Sequence, residues 1–204
     1  MTVEKSLPGL QAFRKRLGRS VSGPIIALLA KTPITPNALT VSSMLVMLVA
    51  GALIATHHLV VGGLVVLFAS AFDILDGALA RATNRVTKFG GALDSTLDRL
   101  AEGVTFLALM WFYSDKGSLV GVGLSGAAMV TSFLVSYARA RAEGLGIDCE
   151  VGILTRSERI ILLVLGLLFS GFGFVLPSVL VAIIVFSSIT VAQRLYVVWK
   201  KTRG

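Results

Sequence analysis

The chain has 204 residues, 55% of them apolar and 15% charged, with a mean hydropathy of +0.85. One core of this size cannot hide so much apolar surface, which excludes a water-soluble globule and predicts an integral membrane protein. The net charge of +8 would suggest nucleic acid on a soluble chain; here it predicts loops that lie against anionic lipid, with no nucleic-acid partner.

Residues 1–35 mix Arg14, Lys15, Arg16 and Arg19 with Leu10, Phe13, Leu17 and Val21, the spacing of an amphipathic helix lying at a membrane interface. The basic part is too long and the apolar run too brief for a signal peptide, so the segment is expected in the mature protein. From residue 36 onward come apolar runs of about twenty residues, the length that crosses the hydrocarbon core as a helix. Six are predicted, over 38–56, 59–81, 91–113, 118–142, 158–172 and 174–199, with a tight turn around Gly171, Gly173 and Pro177. The expected fold is an all-α integral membrane protein, six transmembrane helices preceded by an N-terminal amphipathic interfacial helix. No repeat or linker interrupts it, so residues 1–204 are read as a single domain.

The basic residues sort to one side of that scheme, which tests it independently of hydropathy. Lys5, Arg14, Lys15, Arg16, Arg19 and Lys31 precede the first span, and Arg81, Arg85, Lys88 and Arg99 surround the connection between spans two and three. Arg139, Arg141, Arg156 and Arg159 surround the connection between spans four and five, and Arg194, Lys200, Lys201 and Arg203 end the chain. Only Lys116 falls on the opposite side. The expected location is the cell membrane, with several passes and both termini and the active site on the cytoplasmic face.

Asp73 and Asp76 lie late in the second span, and Asp94, Asp98 and Glu102 early in the third. A charge at membrane depth costs about 3 kcal/mol, so such residues usually face a watery cavity and serve a function. The two spans run in opposite directions, so the four aspartates share one depth; spacings of three and four put each pair on one helix face. Four carboxylates in one cleft repel each other unless cations sit among them. Hard divalent ions suit oxygen ligands, with Mg²⁺ or Mn²⁺ favoured over zinc because no His or Cys lies nearby. Two ions about 4 Å apart would serve phosphoryl chemistry. The bland alternative pairs the acids with Arg81, Arg85 and Arg99 as structural salt bridges. Gly77, Gly90 and Gly91 punctuate the stretch, either admitting a phosphate to the backbone or simply letting helices touch.

Written out, Asp73 to Asp98 reads D-I-L-D-G-A-L-A-R, eight residues, G, three residues, D, three residues, D. This resembles the signature of the CDP-alcohol phosphotransferases, integral membrane enzymes that make phospholipid headgroups, and Asp73, Asp76, Gly77, Ala80, Arg81, Gly90, Asp94 and Asp98 all fit it. The resemblance implies attack of an acceptor hydroxyl on the β-phosphorus of a CDP-linked lipid, with CMP leaving. It also implies that Asp73, Asp76, Asp94 and Asp98 hold two divalent ions and that Asp98 takes the hydroxyl proton. Gly77, Ala80, Arg81 and Thr87, together with Asp73, match positions that contact the CDP-lipid. Asn37, Ala38, Leu39 and Thr40, within T-P-N-A-L-T, resemble the family's other nucleotide-contacting stretch.

The acceptor must be read elsewhere. Arg139 and Arg141 in S-Y-A-R-A-R-A-E, with Arg156 and Arg159 in T-R-S-E-R, could form an anion pocket for a phosphorylated acceptor. The alternative is that they serve the positive-inside bias and pair with Glu143 and Glu158. Together with D-S-T-L-D-R, these stretches look like the family branch that joins inositol 1-phosphate to CDP-diacylglycerol or to the ether lipid CDP-archaeol. Glycerol 3-phosphate is the rival acceptor. The resemblance also implies a homodimer, in which Ser125, Gly126 and Ala127 are candidates for helix packing.

Cys149 reads as filler, His57 and His58 as surface, and Trp111, Tyr113, Tyr196 and Trp199 as anchors at the headgroup level. A cation transporter is a reading of another class, but the outer halves of the spans are almost purely apolar where a conducting path needs polar groups. A scaffold that binds CDP-lipid without turnover has no positive support, since every signature acid is present.

Overall fold

The computed structural model describes residues 23–203. Most of the expected interfacial helix, residues 1–22, lies outside the described residues. Among these, a helical stretch at 23–29 precedes α1 (Pro36–Ala55), α2 (Leu59–Ala82), α3 (Lys88–Asp115), α4 (Leu119–Gly144), α5 (Arg156–Leu168) and α6 (Val175–Thr202).

Local chemistry sets where these helices begin. Thr35, Thr87 and Ser118 stand just before α1, α3 and α4, and their hydroxyl oxygens accept from the N–H groups of Ala38, Gly90 and Gly121 at 3.2, 2.9 and 3.2 Å. Pro36 opens α1, where a missing N–H costs nothing. At α5 the Thr155 N–H donates to Glu158 Oε2 at 2.9 Å in a capping box. Glu158 is therefore a helix cap. The α3–α4 turn needs a glycine at 117, where φ is +67°.

Helix α1 packs on α2 and α3, α4 on α3 and α6, and α5 on α2 and α6. These contacts close a ring in the order α1, α2, α5, α6, α4, α3. The helices alternate in direction, so the start of α1, the end of α2, the start of α3, the end of α4, the start of α5 and the end of α6 gather at one mouth of the ring.

The inside mixes small residues, with Ala50, Ala69 and Ala128 wholly buried, and large ones such as Ile54, Phe106, Leu109 and Leu180, while Leu45, Phe68, Leu107 and Trp111 are exposed. The small residues let helices touch, and the outer faces present large apolar groups to lipid. Gly51 is one such contact, since a Cβ there would stand 2.6 Å from Val104 Cγ1 of α3.

By length and composition, α1, α2, α4 and α6 are apolar enough to cross a membrane. The other two of the six expected spans differ. Helix α3 has 28 residues but carries charge through its first half, and α5 has 13, about 20 Å against a hydrocarbon core of about 30 Å.

Candidate active site

The four aspartates come to the mouth of the ring, but α2 and α3 lean on α1 rather than on each other. A gap remains between the two acid-bearing helices. The floor is supplied by α1, and the turn at His58 explains how. Residues equally far from it on either side face each other across the α1–α2 hairpin, which sets Thr40 opposite Asp76 and Ser43 opposite Asp73. Thr40 Oγ1 donates to Asp76 Oδ2, and Ser43 Oγ donates to Asp73 Oδ1, both at 2.6 Å. Thr40 was expected among the CDP-lipid contacts; it also holds a carboxylate. Ser43 was not expected at all, and its signal was the i, i+3 spacing in α1 that mirrors the spacing of Asp73 and Asp76.

Arg156, the first residue of α5, reaches across the gap. Its Nη2 lies 2.6 Å from both Asp73 Oδ2 and Asp98 Oδ1, while Arg99 Nη2 is 3.6 Å from Asp98 Oδ2. Of the three arginines in the salt-bridge alternative, Arg99 pairs with an aspartate, whereas Arg81 and Arg85 do not among the described residues, and Arg156 takes their place. Among the described residues no three acidic or imidazole side chains are already gathered around a point that a metal could occupy. Between α2 and α3 the Arg156 guanidinium lies against Asp73 and Asp98 instead. The donor set, hard carboxylate oxygens around a bound positive charge, fits a divalent cation.

Beside the acids lies a cavity of about 290 Å³, lined by Asn37, Thr40, Asp76, Gly77, Ala80, Arg81, Thr87, Gly90 and Asp94 among others. Most positions matched to CDP-lipid contacts are therefore on one wall. Asn37 and Thr87 approach each other over Gly90, where a Cβ would be 3.1 Å from Asn37 Oδ1 and 3.0 Å from Thr87 Oγ1. Three expected contacts are not on this wall. Ala38 is exposed and Leu39 is buried in the helix packing, because a helix presents Asn37 and Thr40 on one face and turns the residues between them away. Asp73 lies one turn back along α2, beside Ser43 and Asp98.

A second cavity, of about 550 Å³, is lined by Arg99, Arg139, Arg156, Arg159 and Arg194, with Ser95, Ser136 and Thr155 among the other residues. Asp94 borders both cavities. The four arginines expected around an acceptor phosphate divide here. Arg141 is exposed and off the wall, since two residues beyond Arg139 is about 200° around the helix. Arg139 pairs with Glu143 at 2.7 Å, as the alternative reading had it.

Arg159 is 1% exposed, and its Nε and Nη2 donate to the two oxygens of Glu102 at 2.8 and 3.2 Å. It pairs with Glu102 rather than Glu158, and with a further bond from Nη1 to the Leu154 carbonyl it lines the cavity without offering an open fork. Glu102 itself stands apart from the four aspartates, spent on this pair. Arg194, 3% exposed, donates through Nε to the Val151 carbonyl at 2.9 Å and through Nη1 to that of Val135. It thus ties the α4–α5 connection to α6. Its sequence signal was an arginine inside an apolar final helix, and Arg99, which donates to Ser136, was not among the four arginines expected around the acceptor phosphate.

Residues 33–190 match the family model of the CDP-alcohol phosphatidyltransferases. The chain is similar to a phosphatidylinositol phosphate synthase of Mycobacteroides abscessus, 38% identical over 183 residues that cover 87% of this chain and 83% of the relative. It is also similar to an archaetidylinositol phosphate synthase of Pyrococcus horikoshii, 39% identical over 195 residues and 95% of each chain. A crystal structure of Mycobacterium tuberculosis phosphatidylinositol phosphate synthase with CDP-DAG bound superposes with a TM-score of 0.81 at 33% identity, covering 88% of this chain and 94% of that one. A second structure of that enzyme, in complex with manganese and citrate, gives 0.79 at 34% identity, covering 87% and 88%.

Proposed function

This chain belongs to the CDP-alcohol phosphatidyltransferase family, and we propose that it transfers the phosphatidyl group of CDP-diacylglycerol, or its ether-lipid equivalent, to a hydroxyl of inositol 1-phosphate, releasing CMP. The observation that carries the reading is the pair of cavities that meet at Asp94, one framed by Asn37, Gly77, Arg81 and Thr87, the other by arginines. A nucleotide-linked lipid suits the first, and a phosphate ester suits the second. The names of the similar proteins support inositol 1-phosphate over glycerol 3-phosphate as acceptor.

In this mechanism the acceptor hydroxyl attacks the β-phosphorus. A P–O bond forms as the bond to the CMP oxygen breaks, CMP keeps that electron pair, and the hydroxyl proton passes to Asp98. Asp73, Asp76, Asp94 and Asp98 would hold divalent cations, two of Mg²⁺ or Mn²⁺, which when bound neutralise pyrophosphate oxygens and assist the leaving group. Arg81 offers a fixed donor fork to the CDP phosphates, and Gly77 and Gly90 line the same cavity. The cavity walls around Arg139, Arg156 and Arg159 take the acceptor's phosphate, and Asp94 stands where the two substrates meet.

We assign the six helices α1 to α6 to six spans of a single membrane domain, with the mouth of the ring on the cytoplasmic side. The position of the basic residues at that mouth supports this assignment. The test is product analysis. Purified protein with CDP-diacylglycerol, inositol 1-phosphate and Mg²⁺ should yield phosphatidylinositol phosphate by mass spectrometry, and EDTA should stop it. Absence of that lipid under several detergent and metal conditions would sink the proposal.

A further inference from the structure

Arg156 borders both the carboxylate gap and the arginine-lined cavity. Its Nη2 is shared between Asp73 and Asp98, yet its buried Nε has no hydrogen-bond partner. A buried guanidinium donor left unpaired costs free energy, so this placement satisfies the carboxylates better than it satisfies the arginine. One helical turn further on, Arg159 is locked on Glu102 by two hydrogen bonds and buried throughout. Thr155 and Glu158 fix the first turn of α5 by the capping box. The backbone around Arg156 is thereby held from both sides, so any change of partner by Arg156 is a movement of its side chain, which is 22% exposed.

We propose that Arg156 is an exchangeable counter-cation, neutralising Asp73 and Asp98 until divalent cation binds, then swinging into the adjoining cavity to receive the acceptor's phosphate. The proposal rests on the function assigned above. It makes Arg156 a positioning residue that couples the two sites, because the same guanidinium cannot serve both. Binding of cation at the aspartates releases a phosphate donor, and binding of a phosphate ester retains that donor away from the aspartates. By reciprocity each ligand tightens the other.

The experiment measures free Mn²⁺ by electron paramagnetic resonance during titration of the detergent-purified full chain, without CDP-lipid, with and without inositol 1-phosphate. In the wild type inositol 1-phosphate should raise Mn²⁺ affinity by about tenfold, within the usual range of coupling between sites. In Arg156→Gln, Mn²⁺ should bind about tenfold more tightly without acceptor, because the competing state is gone, and the acceptor should add nothing further.

A static positive charge near the cations would give the first effect in the variant but leave the coupling intact. Unchanged or weaker Mn²⁺ binding in Arg156→Gln, or coupling that survives it, would overturn the proposal. Should the variant fail to fold, lack of coupling in the wild type would overturn it alone. No Mn²⁺ binding by wild type in any condition would instead count against the function assigned above.

Discussion

Thr40 and Ser43 show how single hydroxyls prepare a carboxylate site. Asp76 is 4% exposed, and without the Thr40 hydroxyl its carboxylate would lose a buried donor, a loss of about 1–3 kcal/mol. Thr40→Val should therefore weaken Mn²⁺ binding, measured by titration, with a smaller effect on thermal unfolding than on cation affinity; unaltered affinity would deny Thr40 that role. Asp98→Asn should lower CMP release by about 10²–10⁴-fold, the range for a lost general base, while leaving the unfolding temperature near that of wild type. A wild-type rate would remove Asp98 from the proton-transfer step. The four aspartates were legible because each falls at a fixed place in a motif. The partners of those aspartates were not, since they sit on α1 and α5, far away in sequence, and Ser43 and Arg156 reach them only through the ring. Ala38 and Leu39 were matched as part of a contiguous stretch, and the helix twist turned them away from the cavity.

Among the elements, α5 carries the most for its length. Only 13 residues long, it brings Arg156 to the aspartates and Arg159 to Glu102, and so braces α3 from across the ring. Removing one partner of a fully buried ion pair leaves an uncompensated charge and costs about 3–5 kcal/mol, whereas replacing both by apolar groups is often neutral. Arg159→Met alone should thus lower the unfolding temperature sharply, and Arg159→Met with Glu102→Leu should recover most of the loss. If the double variant is as unstable as the single one, the brace is not what Arg159 contributes. Helix count and approximate ends were readable from hydropathy and capping residues, as with Thr87 before α3. Which helices touch was not readable. Faces such as Gly51 against Val104 are apolar on both sides, and the periodicity that marks a soluble helix's buried face fades when lipid surrounds the other face.

At the level of the molecule, the ring explains why an excess of positive charge and a shortage of acids coexist. Each alternating helix delivers its polar end to the same mouth, so α2 and α3 bring carboxylates while α4, α5 and α6 bring Arg139, Arg156 and Arg194. The proposed topology sets Lys116, in the α3–α4 turn, on the face opposite Lys200. With Cys149 replaced by Ser, single cysteines at 116 and 200 should react with an impermeant maleimide from opposite sides of sealed vesicles, and labelling from one side would refute the six-span assignment. The identity of the acceptor is the claim on which the remaining assignments converge, and CMP release addresses it directly. Purified protein with CDP-diacylglycerol and Mg²⁺ should release CMP with inositol 1-phosphate and stay near background with glycerol 3-phosphate, free inositol or serine. Release with glycerol 3-phosphate alone, or background rates with all four, would contradict it.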